Sequence, residues 1–231
     1  MSRFRGFRER RDQWGLKRAL HWQFMNFLAR CFGLRLSYLL LSSGSGRWDR
    51  MEASCVPYGY DVRMVTLKDL LPFVDPVSDL TVDFLETSFS SGDACVASFM
   101  EGELVGFSFR AGTRASLSNQ LDILIPKGFH YTYKTWIHHD HRRRNLSQAQ
   151  GYVRHRSLPT DYGSRGIWFV ETHNYPSLLH GYRHPRERAI SMGFLGWISL
   201  WGKEFPFTSR TARWLGVEVV RKGDFRARYY R

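Results

Sequence analysis

The sequence predicts a mixed α/β domain with a mostly antiparallel central sheet, flanked by helices and preceded by a basic helical extension. A strand–turn–strand pattern in the middle of the chain predicts the antiparallel part. Helical and strand patterns alternate after it, which is typical of mixed folds. We therefore assign residues 1–50 to a basic helical extension and linker, and residues 51–231 to the α/β domain.

Composition limits the possible function classes. With 231 residues, 43% of them hydrophobic, the chain can bury its own core, which excludes a disordered protein. The 34 basic and 21 acidic residues leave a net charge of +13, which favours an anionic partner such as nucleic acid, an anionic membrane or a phosphorylated ligand. Three widely spaced cysteines build no disulfide framework, so we expect a reducing, cytoplasmic compartment.

The first fifty residues carry eleven basic and three acidic residues, a net charge of +8. Apolar residues recur at loosely helical spacing from Trp14 to Leu28, which predicts an amphipathic helix or helix pair with a break near Gly33. This helix either packs on the main domain or forms an arm for a membrane surface or nucleic acid. Arg30 and Arg35 interrupt the most apolar stretch, so we expect no transmembrane helix.

The elements of the main domain follow in order. Val62 and Met64 alternate with polar residues and predict a strand, and Thr66 is typical of a helix N-cap. The strongest signal is a hairpin whose strands are separated by Glu101-Gly102. In chain order, the expected elements after the first strand are helices near 67–71 and 82–89, strands 94–99, 104–109, 121–125 and 131–137, helix 146–158, strand 167–170, helices 176–182 and 186–191, and strand 195–201.

The step from the 131–137 strand to the next helix carries three successive arginines, Arg142, Arg143 and Arg144. The N-terminus of a helix presents unpaired N–H donors and a partial positive charge, and arginines add charge-assisted donors. The turn therefore predicts an anion site, most naturally for a pyrophosphate. The alternative is a solvated run of charge.

This turn resembles the pyrophosphate loop of the GNAT superfamily of acyl-CoA-dependent N-acyltransferases, whose members carry R/Q-x-x-G-x-G/A between the fourth strand and the third helix. Residues 142–147 occupy that pattern, with Asn145 and Ser147 at its small-residue positions. The hairpin segments 92–97 and 101–107, and the later segments 174–177 and 192–194, are also similar to superfamily motifs. The resemblance covers roughly residues 60 to 205.

The resemblance implies acetyl-CoA, or another acyl-CoA, wedged between two splayed parallel strands, 132–137 and 167–170. Backbone amides of 143–147 would hold the pyrophosphate, and the acyl carbonyl would lie near Ile137. The implied cofactor-binding residues are Ile137, Arg142, Arg143, Arg144, Asn145, Leu146, Ser147 and Asn174.

The implied reaction is direct attack of a neutral amine, on a small molecule or a peptide, at the thioester. Glu171 is the candidate general base and Tyr182 the candidate acid for the leaving thiolate, with His173 as an alternative base. The alternative function is a catalytically weak GNAT-like binding protein, which docks to nucleic acid, a membrane or a partner complex through its basic surface.

Two further patterns stay outside this assignment. His138, His139, Asp140 and His141 have the composition of a metal site, but neighbours at a strand end point in different directions, so we expect no metal. The stretch Arg221–Arg231 mixes arginines with aromatic residues, which suits single-stranded nucleic acid or a solvated tail.

Overall fold

A computed structural model describes residues 9–42, 52, 55–75, 79–158, 165–183 and 189–223, with side chains excluded at 180–183. These residues form two compact units. Within the described ranges, the first unit contains residues 1–42, 116–124 and 169–231, and the second contains residues 43–115 and 125–168.

Eleven strands and six α-helices are numbered within the described residues, and residues 9–14 are helical as well. The strands are β1 (Arg35–Leu41), β2 (Tyr60–Val65), β3 (Ala94–Met100), β4 (Glu103–Ala111), β5 (Arg114–Ser116), β6 (Leu121–Leu124), β7 (Phe129–Ile137), β8 (Arg165–Glu171), β9 (Ile190–Leu200), β10 (Lys203–Thr208) and β11 (Glu218–Arg221). The helices are α1 (Leu16–Phe32), α2 (Leu67–Leu70), α3 (Val82–Ser90), α4 (Leu146–Ser157), α5 (Tyr175–Arg183) and α6 (Arg210–Trp214). None of these helices is both long enough and apolar enough to cross a bilayer.

The second unit is built on a sheet with strand order β2-β3-β4-β7-β8. All neighbours are antiparallel except β7 and β8, which are parallel. Helices α2 and α3 cover one face of this sheet through a core that contains Leu70, Leu85, Phe107 and Phe109. On the other face, Ala149 of α4 packs in a smaller apolar cluster with Val62 and Val96. The expected sheet, mostly antiparallel and flanked by helices, is therefore confirmed.

Local chemistry explains where the early elements of this unit begin. Thr66 and Asp69 form a capping box at α2, in which the Thr66 N–H donates to Asp69 Oδ2 at 2.8 Å. The Thr81 hydroxyl accepts from the Phe84 N–H at the start of α3, at 3.2 Å. Between β3 and β4, Glu101 and Gly102 both take positive φ, 52° and 86°, which is the geometry of a two-residue hairpin. The predicted cap and hairpin are confirmed.

Strand β7 contains a bulge that interrupts its register with β4. Phe107 faces Trp136 and Phe109 faces Tyr133, so two residues of β7 oppose the single Ser108. One of these two is Lys134, which has a φ of 47°. The parallel ladder between β7 and β8 holds three pairs, and its last is Tyr131 with Ile167. Residues 132–137 of β7 therefore form no ladder with β8.

In the first unit, the strand order is β1-β9-β10, and β9 is antiparallel to both β1 and β10. Leu39, Leu40 and Leu195 are fully buried there. Gly196 of β9 has no room for a side chain, because a Cβ at that position would lie 2.0 Å from the Arg35 carbonyl oxygen. Strand β6 pairs with β11.

Two findings differ from the sequence-based expectations. Strand β1 lies inside the stretch assigned to a helical extension, and it pairs with β9. The predicted helix over 186–191 is wrong at its end, because Ile190 and Ser191 already belong to β9; residues 186–188 lie outside the described residues. The predicted linker at 42–46 and the basic stretch 221–231 also lie largely outside them. Strand β1 is missed because its apolar residues follow closely on the apolar run of α1, which ends at Phe32, only three residues before Arg35.

The carboxyl of Asp93 gives a pH test of the fold of the second unit. It is buried and accepts a hydrogen bond from the Tyr133 hydroxyl, and burial raises its pKa from 3.8 to about 6. Between those two values the folded chain holds a proton that the unfolded chain releases, so the free energy of unfolding falls as pH rises. Asp93→Asn removes this dependence.

We expect the free energy of unfolding of Asp93→Asn, relative to that of the wild type, to increase by about 2 kcal/mol from about pH 4 to about pH 8. Urea denaturation at both pH values measures this. Asp83 is exposed on α3 and provides the control. Asp83→Asn should have the same free energy of unfolding as the wild type at both pH values. An Asp93→Asn effect of equal size at both pH values contradicts the prediction.

Candidate anion-binding site at the start of helix α4

The end of β7 is held against β4 before the chain turns away. The His138 N–H donates to the Val105 carbonyl at 2.9 Å, directly after the last strand residue. A 3₁₀ turn over His139–His141 follows. The Nε of Arg142 then donates to the Ile137 carbonyl at 3.3 Å, so the first arginine folds back onto the strand end. The segment between β7 and α4 is therefore hydrogen-bonded to the sheet both at His138 and at Arg142.

Two left-handed residues shape the loop before α4. Arg143 has a φ of 65° and Asn145, the N-cap residue, a φ of 59°. Asn145 makes no side-chain cap, and its carbonyl accepts the N–H groups of Gln148 and Ala149 at 2.9 and 3.0 Å. Alternating backbone handedness of this kind turns successive N–H groups toward one side and forms an anion-binding concavity. Asn145 thus adopts the left-handed backbone conformation that glycine takes most readily.

The first turn of α4 has features that favour a negatively charged ligand. No described residue accepts a hydrogen bond from the N–H of Leu146 or Ser147, and the first turn contains no acidic residue. The side chains of Arg143 and Arg144 are exposed beside these donors. The partial positive charge of a helix N-terminus adds to them. The N–H donors and the positive charge at this helix N-terminus therefore both favour binding of an anion.

A cleft of about 470 Å³ opens beside this loop. Its lining combines residues of the loop and α4 with residues around the start of β2: Cys55, Pro57, Tyr58, Tyr60, Arg144, Asn145 and Gln148. The Tyr60 hydroxyl is 2.9 Å from His141 Nδ1, which links the start of β2 to the 3₁₀ turn. Burial raises the pKa of the Cys55 thiol, so that thiol stays protonated at neutral pH and is a poor nucleophile.

Buried polar contacts fix α4 on the sheet beneath the loop. Gln150 donates to the Ser98 hydroxyl at 3.0 Å. Arg154 donates to the Ser108 hydroxyl at 3.1 Å, and that hydroxyl lies 3.1 Å from the Thr135 hydroxyl at the β7 bulge. Burial lowers the pKa of Arg154 to about 10, so the guanidinium remains charged at neutral pH. The contact through Ser108 therefore links the position of α4 to the bulge in β7.

The 3₁₀ turn also gathers possible metal ligands. The ligand atoms of His138, His139 and Asp140 lie within 4.8 Å of one another. His139 Nε2 is 3.2 Å and His138 Nδ1 3.7 Å from an Asp140 oxygen. The argument that strand-end neighbours point apart does not hold here, because a 3₁₀ turn rather than a continued strand follows Ile137. The expectation that the protein holds no metal stays a prediction.

The first unit contains the other predicted site residues. Glu171 Oε1 is 3.1 Å from Arg35 Nη1, and its Oε2 is 3.6 Å from Nε2 of the half-buried His173. Burial lowers the pKa of His173, as do His21 and Arg35, while Glu171 acts in the opposite direction; the imidazole is therefore neutral at pH 7. The Oδ1 of Asn174 accepts the Ser177 N–H at 3.4 Å, and the Asn174 side chain caps α5. Nothing is described of the Tyr182 side chain, although its backbone lies in α5.

The structure thus brings seven of the predicted residues into one loop, those from Ile137 and from Arg142 to Ser147, and places Glu171 and Asn174 next to each other in the first unit. Sequence reasoning missed the tyrosines and the cysteine of the cleft. They precede α4 by about 90 residues, and no local pattern marks them. It also missed Arg35 as the partner of Glu171, because that pairing depends on the unforeseen strand β1.

No protein-family model and no curated protein sequence matches the chain. Among solved structures, the chain is similar to a Drosophila protein, with 12% identity, a TM-score of 0.50, and 78% of this chain and 58% of that chain covered. A GCN5-related N-acetyltransferase from Kribbella flavida shares 16% identity, with a TM-score of 0.39 and coverage of 59% and 50%. A tandem GNAT protein from the clavulanic acid biosynthesis pathway shares 15% identity, with a TM-score of 0.39 and coverage of 68% and 52%.

The chain spans between 50% and 58% of the length of these three structures. At such identities a likeness concerns the fold alone. The fold is GNAT-like: antiparallel strands lead to a strand, β7, that pairs in parallel with the next one and is followed by a helix carrying the arginine loop. The recognition made from the sequence is confirmed at this level.

The left-handed conformation at Asn145 can be tested by substitution. Asn145→Gly relieves the backbone strain, so we expect the free energy of unfolding to change by less than about 1 kcal/mol. Asn145→Val places a β-branched residue at positive φ and should cost about 1–2 kcal/mol. Urea denaturation measures both. Ser147→Val, two residues on in the helix, is the control and should cost less than about 1 kcal/mol; equal losses at the two positions would refute the left-handed conformation.

Proposed function

We propose that the protein is an acyl-CoA-dependent N-acyltransferase, with acetyl-CoA as the simplest donor and a primary amine of a small molecule or peptide as the acceptor. One observation carries the proposal. Strand β7 leaves its parallel neighbour after Tyr131 and runs on to Ile137, directly into a loop of left-handed residues and arginines at the start of α4. A free strand edge that ends at an anion site suits an extended ligand with a diphosphate.

The backbone of β7 supports binding of the pantetheine arm. Residues 132–137 have unpaired edge positions toward β8, and an amide-containing chain can hydrogen-bond to such an edge as an added strand does. The resemblance places the acyl carbonyl near Ile137, the last residue of this edge. The pyrophosphate would then accept from the N–H groups of Leu146 and Ser147, whose donors are free among the described residues.

The arginines support recognition of the nucleotide end of the donor. Arg143 and Arg144 are exposed and free to turn toward phosphate oxygens, whereas Arg142 is held by the Ile137 carbonyl. Arg144 also lines the cleft with Tyr58 and Tyr60, which offer aromatic surface next to a cation. Two exposed guanidinium groups at a helix N-terminus favour a ligand with several phosphate charges.

In the proposed reaction, the amine nitrogen attacks the thioester carbon. A C–N bond forms, the C–S bond breaks, and the CoA thiolate leaves with a proton from Tyr182. Glu171 takes the proton that the amine loses. Its second oxygen lies 3.6 Å from the neutral imidazole of His173, which is the alternative base. The ion pair with Arg35 orients the carboxylate.

Calorimetric titration with acetyl-CoA tests the donor site. We expect saturable binding that weakens at least about tenfold in the variant Arg143→Ala plus Arg144→Ala, because two charge-assisted phosphate contacts are lost. Arg156→Ala is the charge control, since Arg156 is exposed at the far end of α4 and should not change the affinity. Absence of binding by acetyl-CoA and by free CoA would exclude the proposal.

A second measurement tests the base. Thiol release from acetyl-CoA is followed with a panel of primary amines that includes a polyamine, an aminoglycoside and a lysine peptide. Glu171→Gln should lower the rate by about 10² to 10⁴ and leave acetyl-CoA binding intact. His173→Asn is the matched variant: a large loss there with a normal rate in Glu171→Gln assigns proton removal to His173 instead.

A further inference from the structure

Among the described residues, helix α1 packs on the first unit through one face. Ala19 and Met25 on that face are buried, 0% and 5% exposed. Trp22 is half-buried, with the guanidinium of Arg10 3.8 Å from its ring centroid. His21 shares a hydrogen bond with the hydroxyl of Tyr175 at the start of α5. These contacts fix which side of the helix faces away from the unit.

The outward side is apolar. Leu16, Leu20, Phe24 and Phe27 are 55%, 51%, 57% and 56% exposed, and Cys31 continues the row. At 3.6 residues per turn these five positions fall within about 80° of the helix circumference and extend over about 23 Å. We call this row the apolar stripe. Isolated exposed apolar residues are ordinary, but a continuous row of large ones marks a binding surface.

The charges beside the apolar stripe identify its partner. On the helical wheel Lys17 borders the stripe on one side and Arg30 on the other. The sequence contains no acidic residue between Asp12 and Asp49. Two copies joined stripe to stripe would therefore bring cations against cations with no carboxylate of α1 to pair them. An anionic bilayer supplies the missing negative charge and accepts the apolar row below its headgroups.

We propose that α1 docks the protein onto an anionic membrane surface, lying in the plane of the interface with the apolar stripe buried and Lys17 and Arg30 at the level of the lipid phosphates. Phe24 and Phe27 are the two largest side chains of the stripe, and both are more than half exposed. The proposal is independent of acyl transfer, because it uses only the outer face of one helix.

Sedimentation of the full chain with vesicles tests this docking. The vesicles are pure phosphatidylcholine or equal parts of phosphatidylcholine and phosphatidylglycerol, and a reducing buffer keeps Cys31 from forming dimers. We expect binding to the anionic vesicles that falls with added salt and is much weaker on the neutral ones. Phe24→Ser plus Phe27→Ser should reduce the partition coefficient at least about tenfold.

Two variants control this test. Trp201→Ser plus Trp214→Ser removes two aromatic side chains that are 92% and 82% exposed elsewhere, and should bind as the wild type does. Lys17→Gln plus Arg30→Gln should weaken binding to anionic vesicles alone. Failure of the wild type to bind, or equal binding by the phenylalanine variant, overturns the proposal. A dimer in analytical ultracentrifugation that the phenylalanine substitutions abolish, without vesicle binding, assigns the stripe to a second copy instead.

Discussion

The bulge in β7 is the constraint on which the candidate donor site depends. Two residues of β7, Lys134 and Thr135, oppose the single Ser108 of β4. A bulge bends its strand and increases the local twist, so a parallel neighbour cannot follow it in register. The ladder with β8 has stopped at Tyr131, three residues earlier. The polar groups that this leaves unpaired along β7 are the ones that the proposed donor would satisfy.

The same bulge also locates the helix that completes the site. The Ser108 hydroxyl contacts Thr135 at the bulge and accepts a hydrogen bond from Arg154 of α4. A buried guanidinium is costly to leave without partners, so this contact is specific as well as stabilising. Because α4 is held one turn from its C-terminal end and again at Gln150, its N-terminus is set at the end of β7. The loop over residues 142–145, directly before α4, therefore has little freedom of position.

Two groups of exposed basic residues in the described structure lie beside different features of the fold. Arg143 and Arg144 stand at a helix N-terminus, where the backbone adds donors to their charge. Lys17 and Arg30 border an exposed apolar row on α1, where the charge accompanies hydrophobic surface. The first arrangement suits a compact polyanion, and the second suits an extended anionic surface. The two binding proposals therefore draw on different parts of the basic surface.

Local chemistry in the sequence determined much of this protein. The capping box at Thr66, the hairpin turn at Glu101-Gly102 and the helix after Arg144 depend on near neighbours, and each forms where its pattern predicts. The tertiary structure alone decided the rest, because the signals are distant or hidden. Strand β1 continues an apolar helix run, and its pairing with β9 brings Arg35 to Glu171. The cleft tyrosines reach Arg144 across about 85 residues of chain. The apolar stripe of α1 is visible only once Ala19 and Met25 show which face of the helix is covered.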